Sequence, residues 1–229
     1  ATGSAQVFVL PPSTRLDYRL QGWWRGEVQG QAKVEWRRSG ERYQVEMEVT
    51  IGPAFAPVAT RRIRSDGRIG DDGLEPERYV DDMQALLGRP RQLVLPLGEL
   101  RAATPGLQDS ASQLVQLLWL LNLEPQRLQV GSRIELPLAQ PTRVVSWRYD
   151  VVAQQALQTP LGEIDAMLLR PSPGQARPGE LVVELWMAPR LQHLPVRMTI
   201  RHGAATYADL LLERAPRQAL EEENAPAAR

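Results

Sequence analysis

The 229-residue sequence contains no cysteine. That absence removes thiol nucleophiles, zinc–thiolate sites, iron–sulfur clusters and disulfide staples together. It suits the cytoplasm, and equally an oxidising compartment in which stray thiols are a liability. Lysine is scarce as well, since Lys33 is the single one and every other cation is an arginine. Arginine binds phosphate and carboxylate bidentately, but arginine-favouring codon usage gives the same count and is the simpler reading. With 27 basic and 27 acidic residues the formal charge is zero, so no global field draws the chain to nucleic acid or an anionic membrane. No apolar run reaches the roughly 18 residues that a membrane-spanning helix needs. The start, Ala1-Thr2-Gly3-Ser4, allows a removed export signal.

What is present is alternation. Tyr43, Val45, Met47, Val49 and Ile51 alternate with Gln44, Glu46, Glu48 and Thr50, the pattern of a strand with one dry and one wet face. The same habit recurs over 16–20, 32–36, 145–151, 164–168, 181–187, 194–200 and 208–212. Turns are expected at Arg38-Ser39-Gly40-Glu41, Ser65-Asp66-Gly67-Arg68 and Arg201-His202-Gly203-Ala204. The pattern predicts a mainly β fold, a strongly curved antiparallel sheet or incomplete barrel in meander order.

One segment differs. Residues 109–122 read as a helix, with a capping box from Ser110 to Gln113 and Asp109 adding negative charge at the start. Between Leu114 and Leu121 the single polar residue is Gln116, so the helix must be buried on more than one side. It is expected to cover the open side of the sheet. The domain reading is a lead-in over 1–13, with Phe8–Leu10 docking as an edge strand, one β domain over 14–213, and a disordered tail over 214–229.

Candidate chemistry is thin. His193 and His202 are the two histidines. They stand at opposite ends of one expected strand, about 30 Å apart, and cannot share a metal within it. No G-x-S-x-G elbow is present, so no catalytic residue is assigned, and no metal or cofactor either. The acidic stretch Asp71, Asp72, Glu75, Glu77, Asp81 and Asp82 is read as a loop able to supply a glycosidase carboxylate pair, although solvated carboxylates are commoner. Arg61, Arg62, Arg64 and Arg68 form a basic run without interleaved aromatics, which argues against nucleic acid. Of six tryptophans, Trp36, Trp119 and Trp147 fall on dry faces. Trp23 and Trp24 are consecutive and point to opposite faces of their strand. Trp186 falls on the polar side of its own, so two faces of the sheet carry apolar surface.

Gly73-Leu74-Glu75-Pro76-Glu77-Arg78-Tyr79, Gln108-Asp109-Ser110-Ala111-Ser112-Gln113-Leu114, Thr159-Pro160-Leu161-Gly162 and Trp186-Met187-Ala188-Pro189 followed by Leu194-Pro195-Val196-Arg197 together resemble the bacterial exported family known as domain of unknown function 3108. The resemblance spans about residues 14–213. It implies an exported, periplasmic or lipid-anchored protein with a strongly bent antiparallel sheet and no assigned activity or catalytic residues. A lipidation cysteine is missing, so anchoring has no support.

The leading functional expectation is a non-catalytic, periplasmic binding or partner protein of the cell envelope, whose concave face holds an apolar ligand such as an acyl chain. A concave face filled by side chains would end that reading. The alternatives are an enzyme acting on envelope glycan through the 71–82 carboxylates, and a structural interaction subunit marked by a large exposed apolar patch. Residue type and placement nominate Trp24, Arg78, Tyr79, Trp119 and Trp186 as the ligand-binding residues. The expected partner is an apolar small molecule or an envelope protein, not nucleic acid.

Overall fold

The computed structural model describes residues 11–24, 26–86, 88–203 and 206–219. A first run of strands comprises β1 (Thr14–Trp23), β2 (Glu27–Ser39), β3 (Arg42–Ile51), β4 (Ala59–Gly70), β5 (Gly73–Ala85) and β6 (Arg91–Pro96). Two helices follow, α1 (Gly98–Ala103) and α2 (Ser112–Leu123). A second run comprises β7 (Arg133–Gln140), β8 (Arg143–Thr159), β9 (Gly162–Pro171), β10 (Leu181–Ala188), β11 (Leu194–His202) and β12 (Thr206–Leu212), with a short β13 (Arg217–Gln218).

The strands form one antiparallel sheet in the order β6-β5-β4-β3-β2-β1-β12-β11-β10-β9-β8-β7, with β13 beside β1. Each run is a meander, and the ladder between β1 and β12 joins them, from Tyr18 opposite Leu212 to Trp23 opposite Tyr207. Because β6 and β7 end the order without pairing to each other, the barrel is incomplete, as the alternation predicts.

Dry faces point inward. Leu16, Tyr18 and Leu20 on β1, Val34 and Trp36 on β2, and Val45 on β3 are essentially inaccessible. Helix α2 lies against them, with Leu117, Leu118 and Leu121 fully buried. Each such leucine stabilises the fold by about 2 kcal/mol through removal of apolar surface from water.

The helix begins at Ser112, not at Asp109. Its cap is also displaced by one residue from the expected Ser110–Gln113 box. Asp109 Oδ1 accepts hydrogen bonds from the amides of Ala111 and Ser112, each at 2.8 Å, while the Asp109 amide donates to Ser112 Oγ at 2.9 Å. An aspartate outcompetes the serine because its carboxylate accepts two amides at once.

Strands β4 and β5 are the main departure from expectation. Their alternation is masked by outward-facing charges that pair across the ladder. Arg62 bonds Glu48, and Arg64 bonds Glu46 at 3.1 Å. Glu77 takes Arg68 at 2.8 Å and Arg42 at 2.9 Å. The acidic 71–82 segment is thus a two-residue turn followed by β5, and the basic run is its neighbour β4. Ser65–Arg68 is not a turn either, but lies within β4, where the register slips between Asp66 and Gly67. The hairpin at Gly40-Glu41 forms where expected, and β11 and β12 pair up to His202 opposite Thr206.

Within the expected tail, Arg217 and Gln218 pair with Arg15 and Thr14, and the Arg217 guanidinium reaches Asp17 at 2.6 Å. Residues 220–229, and Phe8–Leu10 with the rest of 1–10, lie outside the described residues.

Candidate functional site

Helix α2 is tied to both meanders at one end of the sheet. Gln116 accepts from the Leu74 amide at 2.8 Å and donates to the Asp72 carbonyl at 3.0 Å. Gly73 makes this contact possible, because it adopts φ +125 and a Cβ there would meet Gln116 Oε1 at 2.2 Å. At the far end of the helix, Asn122 donates to the Gln192 carbonyl at 3.0 Å. Its amide nitrogen is engaged as a donor, so the 3.0 Å contact with His193 Nδ1 makes that ring nitrogen the donor to Asn122 Oδ1. His193 is therefore buried and not the surface residue a strand end suggests, and burial lowers its pKa. His202 is exposed.

The helix start is anchored twice more. Ser65 on β4 donates to Asp109 Oδ2 at 2.5 Å, and Tyr43 shares the Ser65 hydroxyl at 2.9 Å. Tyr149 on β8 donates to Gln113 Oε1 at 3.0 Å. Asp109 is fully buried, and burial pushes its carboxyl up to about 6 against the opposing hydrogen bonds.

Beyond the helix the concave face stays open as a cleft of about 300 Å³. Ser110, just ahead of the helix, and Gln113 and Leu114 of α2 form its floor. One wall comprises Val28, Met47, Val49, Ile51, Ile63 and Met83 from the first meander; the other comprises Trp147, Leu181, Val183, Leu185, Met198 and Ile200. Small residues explain why the space exists. Ala32, Ala59 and Ala208 line it on strands that carry large side chains nearer the helix. Gly30 shares the inward face with Ala32, and there β2 and β3 press so close that a Cβ would stand 2.0 Å from the Thr50 carbonyl oxygen. The charged residues along the wall are Lys33, Glu48 and Arg61, the last held bidentately by Asp81 at 2.7 and 3.0 Å.

The cleft opens where β1, β3, β5, β9 and β11 end. Its lip includes Trp24, Thr206 and Tyr207. A second hollow continues outward from it, sharing Trp24, Val28 and Ile51 and adding Gly52, Val58 and Leu86.

The five nominated residues do not come together. Trp24 lines the cleft, whereas its neighbour Trp23 faces outward, 45% exposed. Arg78 is exposed on β5, and Tyr79 beside it is buried opposite Ser65, with burial raising its pKa. Trp119 is buried within α2. Trp186 is buried too, under the Arg197 guanidinium at 4.7 Å, with its indole N–H donating to Gln155 at 2.6 Å. Arg197 is itself held by Asp209 at 2.6 Å. The nominations missed Met47, Ile63, Trp147, Val183 and Ile200. Alternation places them on dry faces, but whether a dry face is filled depends on the size of residues from other strands.

Of the 71–82 carboxylates, Asp71 and Asp72 are exposed in the turn, and Glu75, Glu77, Asp81 and Asp82 are engaged with cations and amides. Glu75 bonds Arg101, Asp81 bonds Arg61, and Asp82 accepts from Gln92 at 2.7 Å. Among the described residues no group of three or more His, Asp or Glu side chains is placed to hold a metal ion. No helix among them is long and apolar enough to cross a membrane.

Fold and cleft together define an open, barrel-like antiparallel β domain plugged at one end by a helix. Residues 101–207 match the family model described as "Protein of unknown function (DUF3108)", which shows the resemblance over that stretch. Three of the four motifs lie inside it, while Gly73–Tyr79 precedes it. No curated protein matches the chain. A crystal structure of a beta-barrel-like protein of domain of unknown function DUF1849 from Brucella abortus aligns over 92% of this chain and 99% of that one, at 12% identity and a TM-score of 0.53. The two chains share a fold.

Proposed function

We propose that this protein is a non-catalytic, periplasmic binding protein of the cell envelope that holds an apolar ligand, such as a lipid acyl chain, in the cleft. The observation that carries the reading is a space of about 300 Å³ with largely apolar walls, left open above a buried helix. Its size is at the lower end of the roughly 300–1,000 Å³ typical of ligand sites. Folded cores rarely tolerate such a void, because each unfilled apolar wall forfeits dispersion contacts and burial. An acyl chain restores both without requiring a hydrogen-bond partner. The envelope assignment is supported by the family resemblance.

The test is mass spectrometry of gently purified protein, native and after organic extraction, followed by titration with a fluorescent fatty acid. A stoichiometric apolar species, or saturable uptake into the emptied protein, is the expected result. A clean apo mass with no uptake sinks the reading.

A further inference from the structure

We propose that the mouth of the barrel is a docking surface for an anionic lipid bilayer. The collar around the mouth is built from the ends and turns of neighbouring strands. Among the described residues, Trp23, Phe55 and Tyr207 are the aromatic side chains in the set of exposed large hydrophobics, and all three stand on this collar. Trp23 and Tyr207 face each other across the β1–β12 ladder. Phe55, 92% exposed, tops the 52–58 loop, which has no charged residue. Leu86, 76% exposed, stands beside it, with its amide bonded to the Val58 carbonyl at 2.8 Å. Single apolar residues scattered over a surface need no explanation, but exposed aromatic and aliphatic side chains gathered on the rim of a concave mouth do.

Charge says what covers the rim. Arg89, Arg91, Arg177 and Arg201 are exposed at the same end, and none forms a salt bridge among the described residues. Glu27 and Glu180 are the acids there, and Glu180 is taken up by Arg143 at 2.9 Å. The opposite end exposes Glu41, Asp71, Asp72 and Glu163 together with Arg42, Arg68 and Arg190, and there Arg42 and Arg68 are both held by Glu77. The mouth is thus set apart by arginines that no carboxylate among the described residues takes up. Aromatic and aliphatic side chains backed by arginines are the composition that seats a protein at a headgroup boundary, and anionic headgroups attract the arginines over about a Debye length. This docking rests on the collar alone and does not require the cleft to be loaded. It would place the cleft mouth against the lipid.

The test is sedimentation of the full chain with vesicles of phosphatidylcholine alone and of phosphatidylcholine mixed with phosphatidylglycerol. Binding is expected to be roughly tenfold tighter to the mixed vesicles and to weaken as salt is raised. The double variants Phe55→Ser with Trp23→Ser, and Arg89→Glu with Arg91→Glu, none of them lining the cleft, are each expected to lose roughly tenfold in vesicle affinity. Both should retain the wild-type far-ultraviolet circular dichroism and fatty-acid uptake, which separates loss of docking from loss of fold or of the cleft. Absence of binding to either vesicle, equal binding to both, or undiminished binding by folded variants overturns the proposal. The first of these outcomes leaves the collar to a protein partner.

Discussion

Gln108 donates through Nε2 to the Leu74 carbonyl oxygen at 2.9 Å, and with that bond one side chain spans the gap that the sheet leaves open. The Gln108 main chain belongs to the other side of the gap. Its amide bonds the Pro137 carbonyl, and its carbonyl accepts from the Ala139 amide, both at 2.8 Å. The β5 side and the β7 side thus meet at one fully buried glutamine. Replacing it by leucine keeps the volume but strands the Leu74 carbonyl. Gln108→Leu is expected to lower stability by roughly 1–3 kcal/mol. Urea unfolding measures the loss, and hydrogen exchange should report faster opening at Leu74 and Ala139 than at the β1–β12 ladder.

Gly73 carries a conformation and a contact that no other residue satisfies. At φ +125, with Gln116 occupying the position of the missing Cβ, an alanine is strained in its backbone and displaces the glutamine. Gly73→Ala is expected to cost about 1–3 kcal/mol. The further change Gln116→Ala should recover part of that loss if crowding contributes. A purely additive double variant would assign the cost to the backbone alone.

Asp109 gives the fold a pH signature. Its carboxyl is raised by burial to about 6 from an ordinary 3.8. The folded protein therefore keeps a proton that the unfolded chain has already released between those values. This contribution is fully present below about pH 3.8 and lost as pH rises through about 6, roughly 3 kcal/mol in all. Asp109→Asn retains the cap and has no such titration. The difference in unfolding free energy between wild type and variant should shift toward the variant across that window. A difference independent of pH would contradict the burial of an ionisable carboxyl.

Filling the cleft should separate binding from folding. Ala208 lines it from β12 and is only partly buried, so Ala208→Phe places a ring in empty space. Fatty-acid uptake is expected to fall by at least about tenfold, while stability holds or improves by up to about 1 kcal/mol. Unchanged uptake in a folded variant would move the ligand elsewhere.

Trp24 and Trp186 make opposite predictions. Trp24→Ala should weaken uptake, because its ring walls the lip. Trp186→Phe should leave uptake intact and destabilise the fold by about 1–2 kcal/mol, because it loses the Gln155 hydrogen bond and weakens the Arg197 stack. Fluorescent titration and thermal unfolding of both variants decide the assignment.

The curved sheet and buried helix are legible in the sequence because period-two alternation and an apolar twelve-residue stretch are local signals. Strands β4 and β5 are not legible, since their outward arginines and carboxylates read as separate charged runs until the ladder pairs them. The cleft is least legible of all. It arises from Ala32, Ala59 and Ala208, residues far apart in sequence whose small side chains leave the same volume unfilled. Trp24 could be placed on one of two faces by its neighbour Trp23. Nothing local distinguishes Met47 or Val183 as cleft-lining from Val45 or Leu16 as packed core.

The junction between β1 and β12 also sets the order of assembly. Within each meander every strand pairs with its sequence neighbour, so hairpins close over short loops and need little chain entropy. The β1–β12 ladder joins residues nearly the whole chain apart, and such distant pairings are the slow steps in β folding. A chain delivered from its N-terminus can complete six strands early. It must then wait, with the inner side of β1 and its unpaired edge exposed, until the residues around Leu210 and Leu212 arrive. That waiting edge is where a chaperone would be most useful, and where premature aggregation would begin.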